Sequence, residues 1–167
     1  TNAVVNINSA YAKNVYGGNM GNGSVKYATV NITGNSTIAG KLFGGGYQSN
    51  IGKSGAEGSA VINISGGTIY NDVVGGSERG IVYGTTNVNI GKEAVTDSSL
   101  QASRIIIIGN VYGAGDAKTA RYEETSVYGS THINMYNSNT SQITFANSIF
   151  GAGNGANYES KSSKDES

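Results

Sequence analysis

The stretch Ser59-Ala60-Val61-Ile62-Asn63-Ile64-Ser65, followed by Ile69 and then Val73-Val74-Gly75-Gly76, decides the fold. In a strand, successive side chains point to opposite faces. Ala60, Ile62 and Ile64 therefore share one face, and Val61, Asn63 and Ser65 share the other. The apolar–Asn–apolar centre returns as Val5-Asn6-Ile7, Val30-Asn31-Ile32, Val88-Asn89-Ile90 and Ile133-Asn134-Met135. The ending returns as Val15-Tyr16-Gly17-Gly18, Leu42-Phe43-Gly44-Gly45, Val111-Tyr112-Gly113-Ala114 and Ile149-Phe150-Gly151-Ala152. The Asn-to-Asn spacings are 25, 32, 26 and 45 residues. Constant short motifs at variable spacing indicate stacked coils of one solenoid, with insertions confined to loops.

Working outward from one coil, Val5/Val30/Ile62/Val88/Ile133 and Ile7/Ile32/Ile64/Ile90/Met135 are expected to stack as two inner ladders. Asn6, Asn31, Asn63, Asn89 and Asn134 form an outward column whose amides can bond to one another, which makes a structural role preferable to a ligand site. Before each ending lies an apolar residue four positions upstream: Tyr11, Ile38, Ile69, Ile107 and Phe145. Two short strands joined by a tight bend are predicted there. The small pair after them marks a corner that needs either positive φ or close contact between coils. A third element, Val25-Lys26-Tyr27, Val82-Tyr83-Gly84 and Val127-Tyr128-Gly129, leads into the next strand. Three strand segments per coil of 25 or more residues predict an all-β, right-handed parallel β-helix of about five coils.

Composition agrees. Gly, Asn, Ser and Thr supply 79 of 167 residues, and Ile and Val supply 29 against two Leu, a balance for short strands and turns and against helices. A single β-helix domain is expected over 1–158, as a fragment of a larger protein with flanking domains, with 159–167 a polar linker or disordered tail. Eleven basic residues balance eleven acidic ones with no basic stripe, so nucleic acid is a poor partner. The longest apolar run, Ile105 to Ile108, is strand-length, so membrane insertion is not expected. There is no Cys. The variable segments, Asn19 to Ser24, Tyr47 to Ser59, Ser77 to Ile81, Asp116 to Ser126 and Asn154 onward, leave from one corner and are expected to form a rim. Lys92 to Arg104 is a second insertion and the best place for a short helix or ordered arm.

Chemistry is sparse. Hydrolytic or lyase β-helices need clustered carboxylates on one outward face, and here the acids are scattered along the chain. Glu123-Glu124, near Asp116 and Arg121, could hold calcium, but a solvated loop is the preferred reading. The lone His132 is expected on the surface, and one His excludes multi-His zinc sites. No metal ligand set, cofactor or catalytic residue is assigned. No phosphate-loop pattern follows the glycines. The aromatics carry more weight: eleven Tyr and three Phe with no Trp. Tyr16, Phe43, Tyr112 and Phe150 share a column broken by Val74. Facing inward it is a core stack; facing outward it is a ridge for sugar rings. Core or groove filling is preferred, and Tyr47, Tyr122 and Tyr158 in the rim loops could extend a ligand-binding surface.

The V-N-I strand and the V-Y-G-G corner resemble the repeats of bacterial surface-exposed, adhesin-like proteins. That resemblance covers residues 1 to about 158. It implies a secreted, extracellular, cell-surface location; the scattered carboxylates favour a non-catalytic structural or binding module, with host or microbial glycans or surface proteins as partners. The alternative is a carbohydrate-active β-helix fragment of polysaccharide lyase or glycoside hydrolase type.

Overall fold

The computed structural model describes residues 1–94, 96, 102–117 and 125–154. It is a parallel β-helix of five coils, built from three five-stranded parallel sheets. Sheet A stacks β1 (Asn2–Asn8), β5 (Tyr27–Thr33), β9 (Ser59–Ile64), β12 (Thr85–Gly91) and β15 (Thr131–Tyr136). Sheet B stacks β2 (Tyr11–Ala12), β6 (Thr37–Ile38), β10 (Gly67–Ile69), β13 (Ser103–Ile107) and β16 (Ser141–Phe145). Sheet C stacks β3 (Val15–Tyr16), β7 (Leu42–Phe43), β11 (Val73–Val74), β14 (Val111–Tyr112) and β17 (Ile149–Phe150). No helix occurs among the described residues, so none there is long and apolar enough to cross a membrane.

Register follows the sequence motif. Asn6 pairs with Asn31, Asn31 with Asn63, Asn63 with Asn89, and Asn89 with Asn134. Val30, Ile32, Ile62, Ile64, Val88 and Ile90 are buried, and meet Ile38, Ile69, Ile105 and Ile107 of sheet B and Leu42, Val73 and Val111 of sheet C in the axial core. The outward Asn side chains bond along the stack at 2.8–2.9 Å. Phase is fixed because a one-residue slip would turn Val30, Ile32, Ile62, Ile64, Val88 and Ile90 into water.

Two details differ from the sequence reading, and a third decides between alternatives it left open. In the first coil Ala12, not Tyr11, sits in the inward column: Ala12 pairs with Ile38 and Tyr11 with Thr37. Only Lys13 and Asn14 separate β2 from β3, one residue fewer than the three between Ile38 and Leu42, so the aromatic falls on the outer face and is 71% exposed. Second, the segments after the corner are not a rim of free loops. They carry a ladder of single bridges, Met20–Tyr47–Glu78–Asp116–Asn154, and then the column Val25–Ile51–Val82–Val127, which includes β4 (Ser24–Val25) and β8 (Asn50–Ile51). Ile51, read from sequence as part of an insertion, is fully buried there with Val25, Ala28, Ala60 and Val82 in a second core. Third, none of the corner glycines has positive φ. A Cβ on Gly75 would lie 2.3 Å from the Gly113 carbonyl oxygen, so close contact between coils is what excludes a side chain. Of the segment Lys92–Arg104, where a helix or arm is expected, Ser103 and Arg104 belong to β13 and residues 95 and 97–101 lie outside the described residues, as does the pair Glu123-Glu124.

Candidate functional site: the outer face of sheet C

Each sheet C strand contributes two residues. The first, Val15, Leu42, Val73 or Val111, points into the axial core; the second points out. The second residues, Tyr16, Phe43, Val74, Tyr112 and Phe150, therefore form a floor on the outside of the helix. Phe43, Val74 and Tyr112 are nonetheless buried, as a cluster of their own with Tyr16 packed against it. The rings stack along the helix axis: Tyr16 on Phe43 with centroids 4.9 Å apart and planes 3° apart, and Tyr112 on Phe150 at 5.1 Å and 9°. Coil spacing in a parallel sheet is close to ring-stacking distance, so equal residues at equal positions stack face to face. Such rings turn their edges, and not their faces, towards the groove.

Two walls flank this floor. One is the residue before each of the first four sheet C strands: Asn14, Lys41, Asp72 and Asn110. The other is the bridge ladder beyond the corner, with Tyr47, Glu78 and Asp116. Polar contacts join the walls diagonally. Tyr16 donates its hydroxyl to Glu78 Oε2 at 2.6 Å, from the first coil to the third. Lys41 Nζ lies 2.5 Å from Asp116 Oδ2 and 3.1 Å from Asp72 Oδ2, linking coils two, three and four. Asn154 donates to Asp116 Oδ1 at 3.1 Å, and the Asn110 backbone N–H donates to Asp72 Oδ1 at 2.9 Å. Each diagonal spans the coil between its ends, one carrying Phe43 and the other Val74, which accounts for the burial of a floor on an outer face.

Electrostatics follow from these contacts. Burial pulls the Lys41 ammonium down, but Asp116 and Asp72 outweigh it and hold its pKa above the ordinary lysine value. Burial, then the hydrogen bond to the Glu78 carboxylate, push the Tyr16 phenol well above its usual range. Burial also raises Tyr112, assisted by Asp72 and Asp116.

The face remains open at one end. A shallow depression of about 450 Å³ is lined by Lys13, Asn14, Tyr16, Lys41, Asn71 and Glu78 above Phe43. An apolar hollow of about 230 Å³ lies between Tyr16, Met20 and Tyr47. Tyr16 belongs to both. Tyr47 packs edge-on to Tyr16 at 5.8 Å. Of the aromatic residues singled out from sequence, Tyr16, Phe43 and Tyr47 come together here, Tyr112 is buried further along the floor, and Phe150, 45% exposed, ends it. Tyr122 and Tyr158 lie outside the described residues.

Sequence reasoning missed the charged members. Lys41 and Asp72 occupy the same position, one before the strand; Glu78 and Asp116 are each three residues after the first corner glycine, Gly75 or Gly113. Aligning the coils on that glycine would have placed the four charges in two facing columns. Among the described residues, no group of three or more His, Cys, Asp or Glu side chains could hold a metal ion. Comparison with protein-family models, with curated proteins and with solved structures finds no match.

Proposed function

We propose that the chain is a non-catalytic structural and binding module of a secreted, cell-surface bacterial protein, and that it engages a glycan or a surface protein through the open end of the sheet C groove and its rim. The observation carrying this reading is that the groove's acidic groups are committed to the scaffold. Asp72 and Asp116 accept from Lys41, and Glu78 accepts from Tyr16. A general acid or nucleophile must meet a substrate oxygen or carbon; these carboxylates instead tie one coil to another. What stays available is a Tyr edge, amides and Lys13 in the depression, next to the apolar hollow that shares Tyr16, a set suited to binding hydroxyl groups and apolar sugar faces. The extracellular location rests on the repeat resemblance.

Binding to a glycan array, reduced by Met20→Ala or Tyr47→Ala with the melting temperature retained, tests the proposal. Silence across the array and across a panel of host surface proteins would leave a spacer and refute the binding role.

One observation favours the second reading, a carbohydrate-active β-helix: the fold gathers Lys41, Asp72, Glu78 and Asp116 on one face although the sequence scatters them. Release of reducing ends or unsaturated products from polysaccharides, abolished by Asp116→Ala, would establish it and displace the first.

A further inference from the structure

The depression over Phe43 opens to the side of the solenoid. It is centred on the second coil and bounded by the first, through Lys13 and Asn14, and by the third, through Asn71 and Glu78. Its origin is local. Where the third coil has Tyr70-Asn71 at the bend, the second has Ala39-Gly40, two residues too small to fill the space. A Cβ on Gly40 would strike Asn14 Oδ1 and the Lys13 carbonyl oxygen, so no larger residue fits there.

The bend wall of this recess is made of donors. An Asn side chain carries one acceptor oxygen and one NH2 group, and its partners fix which way round it sits. Asn14 Oδ1 accepts from the Lys41 backbone N–H at 2.9 Å, and Asn71 Oδ1 accepts from the Asp72 backbone N–H at 2.9 Å. Turning either amide over would set NH2 against N–H, so both Nδ2 groups are left to a ligand. Both residues are exposed, and so is Lys13, whose ammonium meets no carboxylate among the described residues. Lys41 Nζ commits two of its three hydrogens to Asp116 and Asp72. The facing wall has the opposite character. Glu78 Oε2 is taken by the Tyr16 hydroxyl, and Oε1 has no hydrogen-bond partner among the described residues.

Two amides and two ammonium groups on one wall call for a group that only accepts. A sugar hydroxyl also donates, whereas a carboxylate has about four acceptor sites and forms the stronger, charge-assisted bonds. The charges lining the recess agree: Lys13 and Lys41 against Glu78 alone. Asp72 and Asp116 lie outside the lining, and their oxygens are turned to Lys41, Asn110 and Asn154.

We propose that this recess takes a sugar oxyanion, a carboxylate or a sulfate ester, on the donors of Lys13, Asn14 and Asn71, so that the glycan engaged by the sheet C groove is an acidic one. The sugar then lies across the recess, with a hydroxyl donating to Glu78 Oε1 on the far wall. This inference rests on the glycan-binding reading above.

A glycan array with carboxylated, sulfated and neutral arms, probed with the full chain, is the first test. Acidic glycans should bind at least about tenfold more tightly than their neutral counterparts, and should weaken as salt rises. The carboxylated and sulfated arms tell the two oxyanions apart. The second test uses two variants. Lys13→Ala removes an exposed ammonium. Asn71→Asp keeps the oxygen that caps the Asp72 N–H and turns the donor into an acceptor. Each should lower affinity for the acidic glycan by about tenfold or more, with the melting temperature unchanged for Lys13→Ala. Neutral glycans bound as tightly as acidic ones would overturn this proposal and leave glycan binding standing. Silence across the array would remove both. Undiminished acidic-glycan binding by Lys13→Ala would overturn the proposal by placing the anion elsewhere, whether or not Asn71→Asp folds.

Discussion

Lys41 Nζ meets Asp116 Oδ2 at 2.5 Å although 75 residues separate them, because two stacking steps bring the second coil's near wall under the fourth coil's far wall. Asp116 is the buried partner, its side chain only 5% exposed. Removing the cation leaves Asp72 and Asp116 facing each other without it. Lys41→Ala is therefore expected to destabilise by about 2–4 kcal/mol, below the range for a fully buried pair because Lys41 keeps contact with water. Asp72→Ala, which leaves the shorter contact intact, should cost less. Urea denaturation of the two variants checks the order.

Stability should fall in alkali. Lys41 and Tyr16 both have folded pKa values raised above their ordinary ones. A group with a raised folded pKa contributes stability that is complete below its unfolded pKa, about 10 for both, and lost as pH rises through the folded value. Melting temperature should thus decline above about pH 10. The decline should be shallower in Lys41→Met and in Tyr16→Phe. An unchanged slope in both variants would show that neither contact governs alkaline unfolding.

The strand phase has a direct test. Ile64 is 1% exposed in the axial core, and Asn63 beside it bonds to Asn31 and Asn89 on the surface. Ile64→Ala opens a cavity at a cost of about 2–5 kcal/mol. Asn63→Ala removes two exchangeable hydrogen bonds of about 1 kcal/mol each, and water replaces part of them. The melting temperature should drop further for Ile64→Ala; the reverse order would place the Asn column inside.

Gly75→Ala should be among the most harmful single-methyl additions, since the new Cβ faces backbone 2.3 Å away and a carbonyl of the next coil cannot swing aside. Overpacking of this kind costs about 1–3 kcal/mol or more. Gly151→Ala at the equivalent corner should leave the melting temperature unaltered, because among the described residues no atom lies within 4 Å.

Gln48 occupies the left-handed region at φ 53°, as Gly21 does at 75° one coil earlier. Gln48→Gly relieves about 1–2 kcal/mol of backbone strain and loses about 0.5–1 kcal/mol through chain entropy. A net gain of a few tenths to about 1 kcal/mol is expected, read as a higher urea midpoint.

The sequence by itself determined the coil. Alternation around Val5-Asn6-Ile7 and its four repeats sets strand phase, which face is dry, and how successive coils register, because period-two burial is a local property that any coil shows alone. Gly75-Gly76 and its equivalents marked the corner, though only the structure decided that crowding and not φ demands glycine there. Ile51 was not legible, since a single buried residue amid polar neighbours has no period to announce it. Ala12 replaced Tyr11 because one fewer bend residue changes which side chain turns inward. The groove was decided wholly by tertiary structure: Tyr16 with Glu78, and Lys41 with Asp72 and Asp116, are 31 to 75 residues apart, and only stacking of unequal coils converts that separation into contact across a shared face.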